Sequence, residues 1–366
     1  MQLEMLRHCE SAEAIVMHPE EALKNANENY RWKSINAIAK YRDEALKRAE
    51  EEMEFCRQHK ISVLPITAED YPARLRDCPD APVVIFYRGT ANLNAKHVVA
   101  VVGTRKISEY GKQLCARFTE RLAELLPDTL VVSGLAYGVD IHVHRGCMEH
   151  SLPTVGVVAH GLDQIYPATH RNDAKRMLQN GGILTEYVRG TRPLQGNFLR
   201  RNRIVAGMAD ATIVVESAEH GGSLVTARIA RSYDRAVFAC PGRVNDPYSI
   251  GCNNLILNAK AMMMLSAEDV VKELGWWQDS VPYLSHPQQL DLFGNEPPQR
   301  GGQKFAALTP EQQLLAETLE GTDGLNTAML AEKTHMAAAD INAILFDMEL
   351  SGIVKVLPGG FYMLTK

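Results

Sequence analysis

The chain has 366 residues, 46% hydrophobic and 23% charged, with 44 acidic and 39 basic side chains and a formal net charge of -5. That is ordinary globular composition, long enough for two or three domains. The slight acidity excludes a generally basic, histone-like binder, so any polyanion must be held on one local face. Residues 1–20 lack the basic start and apolar run of a secretory signal, and no later run reaches the roughly 18 apolar residues of a membrane helix. The seven cysteines (Cys9, Cys56, Cys78, Cys115, Cys147, Cys240 and Cys252) show no CxxC and no zinc-finger spacing. These features predict a cytoplasmic protein with reduced, mostly buried thiols and no metal.

From Trp32 to His59, Ile35, Ile38, Ala39, Ala45, Leu46 and Met53 fall near one helical face. Residues 1–60 are therefore expected to form a small helical region. ISVLPI (61–66) and Val83–Tyr87 have the length and content of strands. From Val98 onward apolar runs alternate with helical patterns: VVAVVGT (98–104), TLVVSG (129–134), TVGVVA (154–159), GILTEY (182–187), ATIVVES (211–217), AVFACPG (236–242) and AMMML (261–265). Seven such runs separated by helices predict an α/β fold, a Rossmann-like, doubly wound, mostly parallel sheet over residues 61–276. Ligands of such sheets bind at the carboxyl ends of the strands. Prolines and a Gly301-Gly302 pair in a polar context mark residues 277–306 as a flexible linker. Beyond it, helical patterns at Pro310–Leu319, Thr327–His335 and Ala337–Ser351, then IVKVLPGGFYML, predict a winged helix over 307–366.

The chemistry starts at residues 186–210, EYVRGTRPLQGNFLRRNRIVAGMAD, where Arg189, Arg192, Arg200, Arg201 and Arg203 occur with no Asp or Glu between the two end residues. Arginine grips phosphate bidentately and stacks on bases, so this is the strongest candidate for holding a polyanion. A solvated helix face making ion pairs is the bland alternative. The absence of local acids, with Gly190, Pro193, Gly196 and Gly207 punctuating a loop and short helix, favours the functional reading.

Other strand ends add weaker signals. Arg105 and Lys106 follow the run at 98–104, and Ser108 can cap the next helix. Gly134 and Gly138 in SGLAYGVD, with Asp140 as the expected cap, and Gly221, Gly222 and Ser223 in HGGSLVTA would let a phosphate approach backbone N–H groups. Each of these could equally be an ordinary turn. The first strand lacks G-x-G-x-x-G and a following ribose acid, which argues against a dinucleotide-dependent dehydrogenase. His160, Asp163, His170 and Arg171 have no metal-ligand spacing, and His142 and His144 point to different helix faces. Neither a G-x-S-x-G elbow nor a Walker loop is present.

Taken together, GTR (103–105), SGLAYGVD (133–140), GLDQIYP (161–167), EY…GTRPL…NFLRRNRIVAGMAD (186–210), GGSLVTA (221–227), VFACPG (237–242) and GCNNLI (251–256) resemble the DNA processing protein A family, also called DprA or Smf. They occur in the family's order over roughly residues 61–275. The resemblance implies a cytoplasmic, homodimeric protein with no catalytic reaction and no cofactor. Such a protein binds single-stranded DNA without base specificity, protects it, and helps load the RecA recombinase in natural transformation. The family's positive pocket carries over to Arg105, Arg201, Asn202 and Arg203, with Arg200 and Arg171 as neighbours. Leu199 stands where the family has proline, and His170 where it has asparagine. Many members begin with a glycine-rich helix-hairpin-helix stretch, and residues 1–60 look like a partial version of that domain. The expected recognition helix of the winged helix, 336–352, has no Lys or Arg and carries Asp340, Asp347 and Glu349. It therefore reads as a packing or protein-contact element rather than a DNA reader. In the linker, QLDLF (Gln289, Leu290, Asp291, Leu292 and Phe293) resembles the short peptide by which bacterial proteins dock on the replication sliding clamp, although a chance pentapeptide would read the same.

Two rivals remain at this point. HGGSLVTA half echoes the PGGxGTxxE signature of nucleotide phosphoribohydrolases, without its carboxylate. A winged-helix transcription regulator would need a recognition helix that is not acidic.

Overall fold

The computed structural model describes residues 5–281 and 308–364, apart from 7–8, 10, 25–27, 320–321, 323, 335, 352 and 358–360. The chain forms two compact units, Met1–Gln288 and Gln289–Lys366. Among the described residues no helix is long and apolar enough to cross a membrane.

The first unit is built on nine strands: β1 (Ser62–Pro65), β2 (Val84–Gly89), β3 (Val98–Val102), β4 (Leu130–Ser133), β5 (Thr154–Val157), β6 (Gly181–Thr185), β7 (Ala211–Val214), β8 (Ala236–Ala239) and β9 (Met262–Met263). They lie in the order β1-β2-β6-β5-β4-β3-β7-β8-β9. From β6 across to β9 all pairings are parallel, while β2 runs antiparallel to β6 and β1 antiparallel to β2. The expected mostly parallel, doubly wound sheet is present, with an antiparallel hairpin at one edge. Strand β3 shows why: all five residues are buried. Val98, Ala100 and Val102 enter the core on one face, while Val99 and Val101 enter the core on the other. Only a strand covered on both sides needs such an unbroken apolar run.

Helices of this unit are α1 (Ala12–Met17), α2 (Pro19–Ala22), α3 (Glu28–Gln58), α4 (Ala73–Arg76), α5 (Glu109–Leu125), α6 (Val139–Glu149), α7 (Arg171–Met177), α8 (Gln195–Gly207), α9 (Gly222–Ser232), α10 (Ile250–Leu257) and α11 (Ala267–Glu273). Among the described residues before β1 the chain is helical, but of the face expected to be apolar only Ile35 and Ile38 turn inward, and Leu46 and Met53 are exposed. The far end of α3 is fixed to the sheet edge by a cluster in which Cys56 and Ile61 meet Phe86. All seven cysteines are free, and all but Cys9 are buried.

The expected linker at 277–306 lies mostly outside the described residues, and its first residues do not behave as one. Trp276–Asp279 forms a 3-10 turn, the buried Trp276 ring sits 4.4 Å from that of His97, and Asp279 takes Lys96 Nζ at 2.6 Å. The core thus reaches at least to Ser280, which is fully buried.

In the second unit α12 (Pro310–Leu319), α13 (Thr327–Thr334) and α14 (Ala338–Leu350) pack with a three-stranded sheet, β10 (Leu325–Asn326), β12 (Phe361–Leu364) and β11 (Val354–Leu357) in that order. This is a winged helix. The Pro358-Gly359-Gly360 turn lies outside the described residues, as does the Gln289–Phe293 peptide.

Candidate nucleic-acid interface

The chain winds outward from β3 to β6 on one side and then crosses back to β7 on the other, so the strand order reverses between β3 and β7. A crevice opens at their carboxyl ends, where neighbouring connections diverge. It holds a cavity of about 230 Å³ lined by Gly103, Thr104, Arg105, Gly134, Asp140, Phe198, Arg201, Asn202 and the turn from Ser217 to Ser223.

The turn after β3 is fixed by groups distant in sequence. Ser108 caps α5, its Oγ accepting from Gly111 N at 3.0 Å. The carboxylate of Glu216, just past β7 and only 1% exposed, accepts Ser108 N at 2.9 Å and also binds the Ser108 hydroxyl. Thr104 N donates to Glu216 O at 2.8 Å, and Val139 N donates to Thr104 O at 3.1 Å. Three strand ends are thereby tied together. Glu216 was missed at the sequence level; its one signal is an acid closing an otherwise apolar strand.

Structure separates the arginines that sequence grouped. Arg105 is exposed at the cavity rim, its guanidinium 5.3 Å from the centre of the Phe198 ring. Lys106 beside it is exposed too. Arg201 is 5% exposed, and its Nη1 donates to Val157 O at 2.6 Å. Asn202 Nδ2 donates to Gly222 O at 3.4 Å, which links α8 to the start of α9. Arg203 faces away from the cavity: it is paired with Glu186 and lies 4.0 Å from Asp80. Arg200 is exposed and lines a separate groove with Arg203. Arg171 is exposed at the start of α7 and does not line the cavity.

The inference that the 186–210 arginines lack partners therefore needs correcting. Arg189 Nη2 takes Glu51 at 3.4 Å and its Nε takes Glu52 at 3.8 Å, while Arg203 takes Glu186. The acids come from α3 and from the end of β6, and no local count along α8 could reveal those on α3.

Asp140 is likewise not the cap of α6. Gly138 holds that position, and the Asp140 carboxylate turns back to accept Ala136 N at 3.3 Å. Burial pushes the Asp140 carboxyl above the usual carboxylate range, against the pull of the Arg201 guanidinium. Gly134 separates the two: a Cβ there would collide with Arg201 Nη1 and lie 2.5 Å from Asp140 Oδ2. Gly138 has φ of 78°, and a Cβ on it would run into Thr104 O and stand 2.7 Å from Arg105 Cα. Gly221 is the N-cap of α9, and Ser223 is turned inward, its Oγ donating to Ser217 Oγ at 2.9 Å. Gly222 has open space on its side-chain face. The start of α9 thus presents backbone N–H groups toward the cavity.

Sequence reading also missed Phe198 in the cavity lining and two exposed tyrosines. Tyr137 and Tyr166 are each 47% exposed. Tyr166 stands 5.9 Å from Phe198, and Tyr137 packs edge-on against the buried His170 at 5.0 Å. The histidines nearby serve the fold. His160 Nε2 accepts Tyr166 N at 3.1 Å, and His170 Nδ1 meets Leu135 O at 3.0 Å. Burial drives the His144 imidazole down to about 3.

A doubly wound sheet with a switch-point crevice lined by Arg105, Phe198 and a glycine-rich helix start defines a Rossmann-like protein, here carrying a winged helix. Family comparison gives the particular assignment. The family model for DNA recombination-mediator protein A matches residues 62–275, and that for the DprA winged helix domain matches 299–360. The chain belongs to the DNA processing protein A (DprA/Smf) family. It is 34% identical to a putative DNA processing protein DprA of Mycobacterium tuberculosis over 80% of this chain and 71% of the relative. It is 31% identical to protein Smf of Escherichia coli over 87% and 81% respectively. Among solved structures it is similar to DprA of Streptococcus pneumoniae (TM-score 0.61, 30% identity, 74% of this chain and 96% of that one). It is also similar to DprA of Helicobacter pylori, described for its single-stranded DNA binding mode (TM-score 0.53, 29% identity, 59% and 96%).

Proposed function

We propose that this protein binds single-stranded DNA, without base specificity, in the crevice between β3 and β7. The observation that carries this reading is the Arg105–Phe198 pair: a guanidinium with no ion pair among the described residues, beside a partly exposed ring, offers one group for phosphate and one for a base. The open N–H groups at the start of α9 add a second phosphate contact. The Helicobacter pylori protein, similar in fold, is described as binding single-stranded DNA, which supports the assignment.

The crevice works as a holder rather than a catalyst. Among the residues lining it the one carboxylate, Asp140, is 7% exposed and turned to the Ala136 backbone N–H, with no second acid beside it for acid–base work. The protein would then shield incoming strands in the cytoplasm and pass them to RecA during transformation or recombination, acting as a homodimer. The Gln289–Phe293 peptide would tether it to the sliding clamp.

The direct test is binding of labelled oligo-dT and matching duplex across a salt series. Wild type should prefer the single strand and weaken with salt, each phosphate contact adding about 0.7 to the slope of log K against log salt. Arg105→Ala should lose at least one contact's worth of slope and about tenfold in affinity. Equal binding by the variant would remove the crevice as the site.

A further inference from the structure

We propose that a second single-strand subsite lies in the groove between α3 and α8, so that a bound strand continues from the switch-point crevice past Leu199. The inference rests on the single-strand reading above and extends it to a site that the family motifs do not include.

The groove, of about 1370 Å³, adjoins the crevice, and Leu199 lines both cavities. Its side chain is 51% exposed and forms the ridge between them. The floor is apolar, with Val63, Val84 and Phe86 from the edge hairpin and Ile229 from α9. One wall is Arg200 on α8, the other Arg48 on α3.

Charge decides the kind of occupant. The acids lining the groove are already engaged: Glu186 and Asp80 by Arg203, and Glu52 by Arg189, whose backbone N it also accepts at 2.9 Å. Arg48 and Arg200 are exposed and form no ion pair among the described residues. The groove therefore offers two free guanidinium groups over an apolar floor, which suits a phosphate chain whose bases turn inward.

The same face of α3 continues the pattern. Tyr41 lies four residues before Ala45 and seven before Arg48, so all three share one side of the helix. Its ring is 51% exposed, with Lys40 Nζ 5.0 Å from its centre. An exposed aromatic with a cation over it, two helical turns before Arg48, is a second stacking position like the one proposed at Phe198.

The experiment uses the full chain and two oligo-dT lengths, about 6 and about 20 nucleotides, spanning the usual range for one and more than one subsite. Wild type should bind the longer strand more tightly and with the steeper salt slope. Tyr41→Ala/Arg48→Ala changes only exposed side chains. It should bind the short strand as wild type does, yet lose about tenfold on the long one and about 0.7 of its salt slope. Arg200→Ala, across the groove, should act in the same direction.

Wild-type affinity and slope of the double variant on the long strand would overturn the subsite and leave the groove to a protein partner. Failure of wild type to bind either length would overturn the crevice as well, so the two readings fail separately. Circular dichroism and a urea melt matching wild type would show that a loss is not one of folding.

Discussion

Arg201 and Arg105 have the same side chain and opposite jobs. Arg201 is 5% exposed, donates to the Val157 carbonyl and lies against Gly134 and Asp140. Removing it leaves the buried Asp140 without its counter-charge, a change of the kind that costs about 3 to 5 kcal/mol. Arg201→Ala is therefore expected to lower urea stability sharply and to lose DNA binding only as a consequence. Arg105→Ala, at the exposed rim, should leave the urea midpoint unmoved while binding falls. A stable Arg201→Ala protein with weakened binding would instead make Arg201 a direct contact. The sequence could not separate these two because burial is not written in a charge run. Arg201 and Arg203 look identical in NFLRRNRIV, but Arg201 turns under the sheet end and Arg203 turns to Glu186.

Among elements, the crevice depends on how the start of α6 fits under the turn after β3. Gly138 allows that fit through its positive φ and its missing side chain. In Gly138→Ala the added Cβ would push against Thr104 and Arg105, so the turn must move. The expectation is a loss of about 1 to 3 kcal/mol in stability from backbone strain, together with weaker oligo-dT binding at temperatures where the protein remains folded. Unchanged binding by the folded variant would show that the turn's position does not matter. Much of this level was legible beforehand. Unbroken apolar runs such as VVAVV announce strands covered on both faces, and Ser108 announces the start of α5. The edge hairpin's direction was not legible, since parallel and antiparallel neighbours ask the same of a short apolar strand. The pairing of Tyr166 with Phe198 was not legible either, because the two rings come from connections that meet only in three dimensions.

For the molecule as a whole, the charge is unevenly divided. Residues 308–366 hold eight acids and three bases, which accounts for the entire net charge of -5 and leaves residues 1–307 balanced. On α14, Asp340, Asp347 and Glu349 are exposed, and Phe346 is 60% exposed. These exposed acids repel phosphate, and with Phe346 they suit a protein contact. A protein ending before residue 308 should hence keep its affinity for oligo-dT, and at low salt should bind at least as tightly as the full chain. A large loss would show that the winged helix holds DNA directly despite its charge.

The tie between Ser108 and Glu216 has a consequence for synthesis. The two residues are 108 positions apart, and the far wall of the crevice, at the start of α9, comes later still. A ribosome releasing the chain from its amino end exposes Arg105 long before the strand that fixes its turn has been made. Until β7 has slotted in beside β3, the nascent protein carries the arginine but not the place where it works. The crevice proposed to hold DNA therefore takes shape late, as a property of the finished sheet.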